Sequence, residues 1–121
     1  MKEIIFTEHA PFPLGPYSQG ILAGDTLYCS GQIAVDALDK DVATQTHQVC
    51  KNIAAVLAAA GMELGQVVKN TCFLASMGDF AAFNAVYEQY FAHKPARSCV
   101  AAKELPKGAL VEIEAIAVKE G

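Results

Sequence analysis

Basic clusters are missing from this chain of 121 residues: the nine lysines and arginines stand singly against 13 acidic side chains, and the formal net charge is −4. A run of phosphates would find nothing here to neutralise it, which sets nucleic acid aside as a first candidate partner. Cysteine is sparse and spread, with Cys29, Cys50, Cys72 and Cys99 more than twenty residues apart. That spacing fits neither a CxxC pair nor the dense framework of small secreted domains, and a reducing, cytoplasmic setting is expected. His9, His47 and His93 are equally dispersed, so no metal-ligand spacing arises and metal-free chemistry is expected. No apolar stretch approaches the roughly 20 residues that span a bilayer. The opening MKEIIFTEHAP holds one lysine and only three consecutive apolar residues, which is not a signal-peptide core.

What is present suits one domain spanning 1–121, long enough to bury most of its apolar side chains. Hydrophobic residues make up 53% of the chain, a share that points to some apolar surface kept for an interface. The competing explanation is that 21 residues are alanine, which speaks for helix more than for interface.

Ile4–Phe6 is a short strand candidate, followed by HAPFPLGPYSQG, where Pro11, Pro13 and Pro16 forbid regular helix. Ile21–Ala23 and Thr26–Ser30 flank Gly24-Asp25, a tight-hairpin signal. From Val42 the apolar positions recur at helical spacing through Ala60, and Gly61 supplies a stop. Val67–Ala75 reads as a strand. Asp79 then caps a second helix with Phe80, Phe83, Val86, Tyr87, Tyr90 and Phe91 on one stripe, ended by Pro95. Arg97–Ala102 and Leu110–Val118 are the last two strands, separated by KELPKG. The order ββ(β)αβαββ predicts an α+β fold with both helices on one face of a mixed sheet.

Alternation in the last strand puts Val111, Ile113, Ala115 and Ala117 on a core face and Leu110, Glu112, Glu114, Ile116 and Val118 on the other. Two carboxylates between apolar neighbours have three explanations: a solvated edge, ion pairs to Arg or Lys, or a functional carboxylate in a cleft. Pairing of the last two strands as a hairpin would bring Arg97 toward the glutamate-bearing strand. There its planar fork could hold a small organic acid, or form a structural ion pair with a glutamate. Cys99 has no histidine nearby in sequence and reads as a small core residue or a backbone contributor. Tyr17 either covers a pocket or anchors its own loop, and Asn84 is either an exposed mid-helix residue or a hydrogen-bonding one.

GPYSQG (15–20), SGQI (30–33), AAAGMELGQVVKNTCFL, FNAVYEQYF (83–91), PARSCV and VEIEAIAV, in this order over nearly the whole chain, resemble the reactive-intermediate deaminase family, also called RidA/YjgF. The resemblance implies a chorismate-mutase-like fold and a homotrimer whose three sheets form a central barrel, with active sites between subunits. It implies cofactor-independent hydrolysis of 2-imino acids and their enamine tautomers, such as 2-iminobutanoate and 2-iminopropanoate, to 2-oxo acids and ammonia. By position, Arg97 matches the arginine that holds the substrate carboxylate and Glu112 the carboxylate that positions water. Tyr17, Ser30, Gly31, Asn84 and Cys99 match pocket-lining positions, while Glu114 matches no catalytic one. The segments Val35–Asn52 and Asn84–Arg97 are each about four residues short of the family's spacing, and Lys94 stands where an aromatic residue commonly precedes the proline. Two other functions compete: a non-catalytic trimer that binds small carboxylates or protein clients in a regulatory or chaperone-like role, and, ranked third, a ribonuclease.

Overall fold

A computed structural model describes residues 1–119. Its strands are β1 (Lys2–Ile5), β2 (Gly20–Ala23), β3 (Thr26–Gln32), β4 (Val67–Leu74), β5 (Ala96–Ala101) and β6 (Val111–Val118). Its α-helices are α1 (Val42–Ala59) and α2 (Phe80–Tyr90). The six strands form one mixed sheet in the order β1-β2-β3-β6-β4-β5, with only β4 and β5 parallel. Both helices lie on one face, as the element order predicts.

Local chemistry explains most boundaries. Asp41 starts α1 by accepting the Thr44 N–H at 2.9 Å. Gly61, at φ +72°, takes the left-handed conformation that stops it. The inward stripe Val49, Cys50, Ile53, Val56 and Leu57 is fully buried. Gly24, at φ +62°, supplies the turn between β2 and β3. The first strand runs earlier than its pattern suggests, because Phe6 leaves the sheet to pack edge-on against Phe12, with centroids 5.2 Å apart. Asp79 occupies the position before α2 but its side chain caps nothing. A short 3-10 turn (Met77–Asp79) intervenes, and Ser76 caps that turn through the Gly78 N–H.

The largest correction concerns the last two strands: they do not pair. β4 lies between them, parallel to β5 and antiparallel to β6. A helix between two strands returns the chain in the same direction, so β4, α2 and β5 close as a parallel unit with β5 at the sheet edge. The 102–110 link then carries the chain across β4 through a turn at Pro106–Gly108, and β6 enters on the inner side. Ala102 N–H donates to the Leu74 carbonyl (2.9 Å) and Ala75 N–H to that of Leu110 (3.0 Å), which ties the link to the end of β4.

Gln45, wholly buried in α1, joins three segments near this link. Its Nε2 donates to the carbonyls of Lys40 (3.0 Å) and Leu38 (3.3 Å), and its Oε1 accepts the Leu110 N–H at 3.0 Å. Gln45→Ala would strand buried backbone groups at the entrance to β6. A loss of about 2–4 kcal/mol in urea unfolding is expected, and a loss below about 0.5 kcal/mol would show that the bridge contributes nothing.

Candidate active site

The register assigns every charged residue of the last two strands to a face. Glu112 lies opposite Phe73 of β4, which lies opposite Val100 of β5, and this row looks away from the helices. Asn70 of β4 lies opposite Arg97 of β5, and that row looks toward the helices. Arg97 and Glu112 are therefore on opposite faces, on strands two places apart. Two strand spacings plus the three-residue offset amount to roughly 10 Å in each direction.

Glu112 sits in a cleft of about 540 Å³ lined also by Leu14, Tyr17, Ser30, Gly31, Pro106 and Glu114. An extra residue between Cys29 and Gln32 bulges β3 against β6 and places Ser30 and Gly31 there. Gly31 is required by closeness: a Cβ would collide with Glu112 Oε2 and lie 3.0 Å from its Cδ. Ser30 Oγ donates to the Ser18 carbonyl at 2.6 Å, and its N–H to that of Gln19 at 2.9 Å, which moors the proline-rich loop to the bulge. Tyr17 does both things considered for it: its hydroxyl accepts the Leu14 N–H at 3.1 Å while its ring walls the cleft.

The sequence reading passed over Gln19, although it lies inside the GPYSQG motif. Almost fully buried, its Nε2 donates to the carbonyls of Thr7 (3.0 Å) and Pro11 (2.9 Å), and its Oε1 accepts the Thr7 N–H at 2.7 Å. Prolines remove donors, so a loop rich in them needs a side chain to satisfy its carbonyls. That requirement was the signal available.

Glu112 is half-buried, and burial, reinforced by the charge of Glu114, raises its carboxyl above the ordinary range. Among the described residues, neither glutamate forms a salt bridge. The structural ion pair considered for them is absent among those residues.

Arg97 occupies a second cleft, with Asn84, Tyr87, Glu88, Phe91, Lys94 and Pro95. Its Nη1 donates to Asn84 Oδ1 at 2.7 Å, so Asn84 has a hydrogen-bonding task. The guanidinium centre rests over the rings of Tyr87 (4.8 Å), Phe80 (5.5 Å) and Phe83 (5.8 Å). Cys99 follows on the same face, half-buried; burial raises its thiol and Arg97 opposes that shift. The candidate residues thus fall into two groups, Tyr17, Ser30, Gly31 and Glu112 on one face and Asn84, Arg97 and Cys99 on the other.

A family model described as Endoribonuclease L-PSP matches residues 7–119. The chain belongs to the RidA/YjgF family. A RutC family protein of Pyrococcus horikoshii is 52% identical over 99% of this chain and all of its own. A 2-iminobutanoate/2-iminopropanoate deaminase of Salmonella typhimurium is 45% identical over 98% of this chain and 99% of its own. The crystal structure of a protein named as an endoribonuclease from Thermotoga maritima superposes with a TM-score of 0.96, at 43% identity and full coverage of both chains. The RidA family's fold is therefore this chain's fold, two helices on a mixed sheet. Among the described residues no helix is long and apolar enough to cross a membrane, and no group of three His, Cys, Asp or Glu could hold a metal.

A carboxyl raised in the fold stays protonated where the unfolded chain has already ionised. Its contribution is stabilising at low pH and is lost as pH rises through the folded value. The Glu112 carboxyl followed by NMR should titrate above the ordinary value of about 4.3, and Glu114→Gln should lower it by removing the second cause. Glu112→Gln should unfold at a higher temperature than the parent protein at pH 7. An unmoved titration in Glu114→Gln would separate the two carboxyls electrostatically.

Proposed function

We propose that this protein hydrolyses 2-imino acids and their enamine tautomers, such as 2-iminobutanoate and 2-iminopropanoate, to 2-oxo acids and ammonia, in sites shared between copies of a trimer. The observation that carries this reading is an arginine held by π faces and one amide and, among the described residues, with no carboxylate partner. Among the described residues only one of its N–H groups is engaged by a side chain, which leaves a fork suited to a planar carboxylate. Relatives named as deaminases of these imino acids, 44–45% identical over nearly the whole chain, support the substrate class.

Opposite faces forbid one chain from placing Arg97 and Glu112 on one small molecule. A second copy that sets its Glu112 cleft against the free edge of β5 would bring them together. Tyr28 (52% exposed), Val100 (50%) and Val118 (37%) project from the Glu112 face, apolar surface that such an assembly would cover.

The chemistry asks little of the protein. Arg97 fixes the carboxylate, and the protonated imine nitrogen, a cation, is drawn to the glutamate side of the site. Water held by Glu112 and a backbone carbonyl near Cys99 adds to the imine carbon as the C=N π pair moves to nitrogen, and Glu112 accepts the water's proton. Glu112 then returns that proton to the amine. The C–N bond breaks, its electron pair leaving with nitrogen, as the remaining hydroxyl gives its proton to the Glu112 carboxylate and becomes the carbonyl; ammonia leaves and carries that proton away as ammonium. A raised carboxyl suits this role, because a more basic carboxylate takes the water's proton more readily and holds it until the amine is ready to receive it.

The family model's description also names an endoribonuclease. The larger cleft instead holds two carboxylates, Glu112 and Glu114, which repel phosphodiesters. Small acids remain the better match.

In an assay coupled to an amino-acid oxidase, Arg97→Ala should raise KM and cut kcat/KM by about 100-fold or more. Glu112→Gln should lower kcat by at least about 100-fold while 2-oxobutanoate binding persists. Near-parental turnover in either variant would remove that residue's role. A monomer by light scattering with full activity would overturn the shared site.

A further inference from the structure

We propose that Tyr87, held by Asn70, is a positioning residue that presets the Arg97 guanidinium for the substrate carboxylate. The inference rests on the reading that Arg97 binds that carboxylate. It concerns Tyr87 on the buried stripe of α2 and Asn70 inside β4.

Arginine is long and flexible, and among the described residues Arg97 lacks the acidic partner that usually fixes one. Orientation comes from below. Of the three rings beneath the guanidinium, Tyr87 is the nearest at 4.8 Å, and it is itself enclosed: 7% exposed, with Phe83 at 5.4 Å and Phe91 at 4.8 Å. Its hydroxyl accepts a hydrogen bond from Asn70 Nδ2 at 2.9 Å. Burial raises the phenol, so it stays neutral and the ring keeps the face that attracts a cation.

Asn70 has no packing justification. It is wholly buried in the middle of β4, and among the described residues its Oδ1 has no hydrogen-bond partner. An unpaired buried carbonyl costs stability that Leu or Val at this position would avoid. What the amide does accomplish is to hold the Tyr87 hydroxyl while standing directly beside Arg97 across the β4–β5 pair. Ring, amide and Asn84 together restrain the guanidinium before any anion arrives, which lowers the entropy lost on binding.

The test measures 2-oxobutanoate affinity by calorimetry and imine turnover by the coupled assay. Tyr87→Leu should weaken affinity and raise KM about ten-fold with kcat within about three-fold. Tyr87→Phe, which keeps the ring, should recover most of that loss. Tyr87→Phe and Asn70→Ala should each weaken affinity about three-fold, and the double variant no further, since both remove the same hydrogen bond. In an Arg97→Ala background, Tyr87→Leu should change affinity less than about two-fold. If Tyr87→Leu does not fold, the Tyr87→Phe and Asn70→Ala pair decides alone, and unchanged affinity in both overturns the proposal. A fall in kcat with KM unmoved, or full additivity with Arg97→Ala, would likewise overturn it. Parental affinity in Arg97→Ala itself would instead overturn the carboxylate reading on which this one stands, so the two failures are distinguishable.

Discussion

Strand β6 sits between β3 and β4, so the antiparallel hairpins and the parallel β4–β5 pair are joined only through it. It can hold that place because its two faces obey opposite rules. Val111, Ile113, Ala115 and Ala117 are buried under the helices, with no polar atom to satisfy. The intervening positions meet no helix, so Glu112 can be half-buried without the full cost of an interior charge. A one-residue slip would exchange the faces and drive both carboxylates under α1. The register that fixes the core is thus the same constraint that presents Glu112 to its cleft, and the bulge at Ser30–Gly31 makes room for the side chain without disturbing that register elsewhere.

On the helix face the problem is reversed, since a cation must be kept where apolar side chains pack. Arg97 solves it at the sheet edge. Its stem lies against α2 while aromatic faces and the Asn84 amide replace part of its hydration. A glutamate there would have been a stronger partner and a worse receptor, because a guanidinium already paired has no fork to offer an incoming carboxylate.

Period and punctuation made much of this legible. The helices, the stop of the first at Gly61, the Gly24-Asp25 turn and the core face of β6 all follow from spacing that one strand or helix carries by itself, whereas α2 ends at Tyr90, ahead of the Pro95 expected to stop it. Pairing is different in kind. Nothing in KELPKG says that β4 lies between the strands it joins; that follows from the direction α2 imposes on β5, a relation between three elements. Buried amides were illegible for a related reason. Gln19, Gln45 and Asn70 look like surface residues in a sequence, and their value lies in carbonyls and hydroxyls that only the fold brings near. Arg97, Glu112 and the residues around them were picked out by motif, yet the division of these residues into two faces was not visible in any motif.

That division has a physical use. Had Arg97 and Glu112 shared a hairpin, each would have been the other's best partner. The pair would have closed into a structural salt bridge, leaving neither the fork nor the base free. The thickness of a sheet keeps them apart within the chain, so no ion pair between them can contribute to folding. In the proposed trimer they meet only across an interface, where the substrate supplies a carboxylate to one and an iminium to the other. The ligand then completes the neutralisation that the isolated chain withholds. In that proposed assembly, preference for a zwitterionic imino acid over neutral carbonyl compounds would follow from the same arrangement.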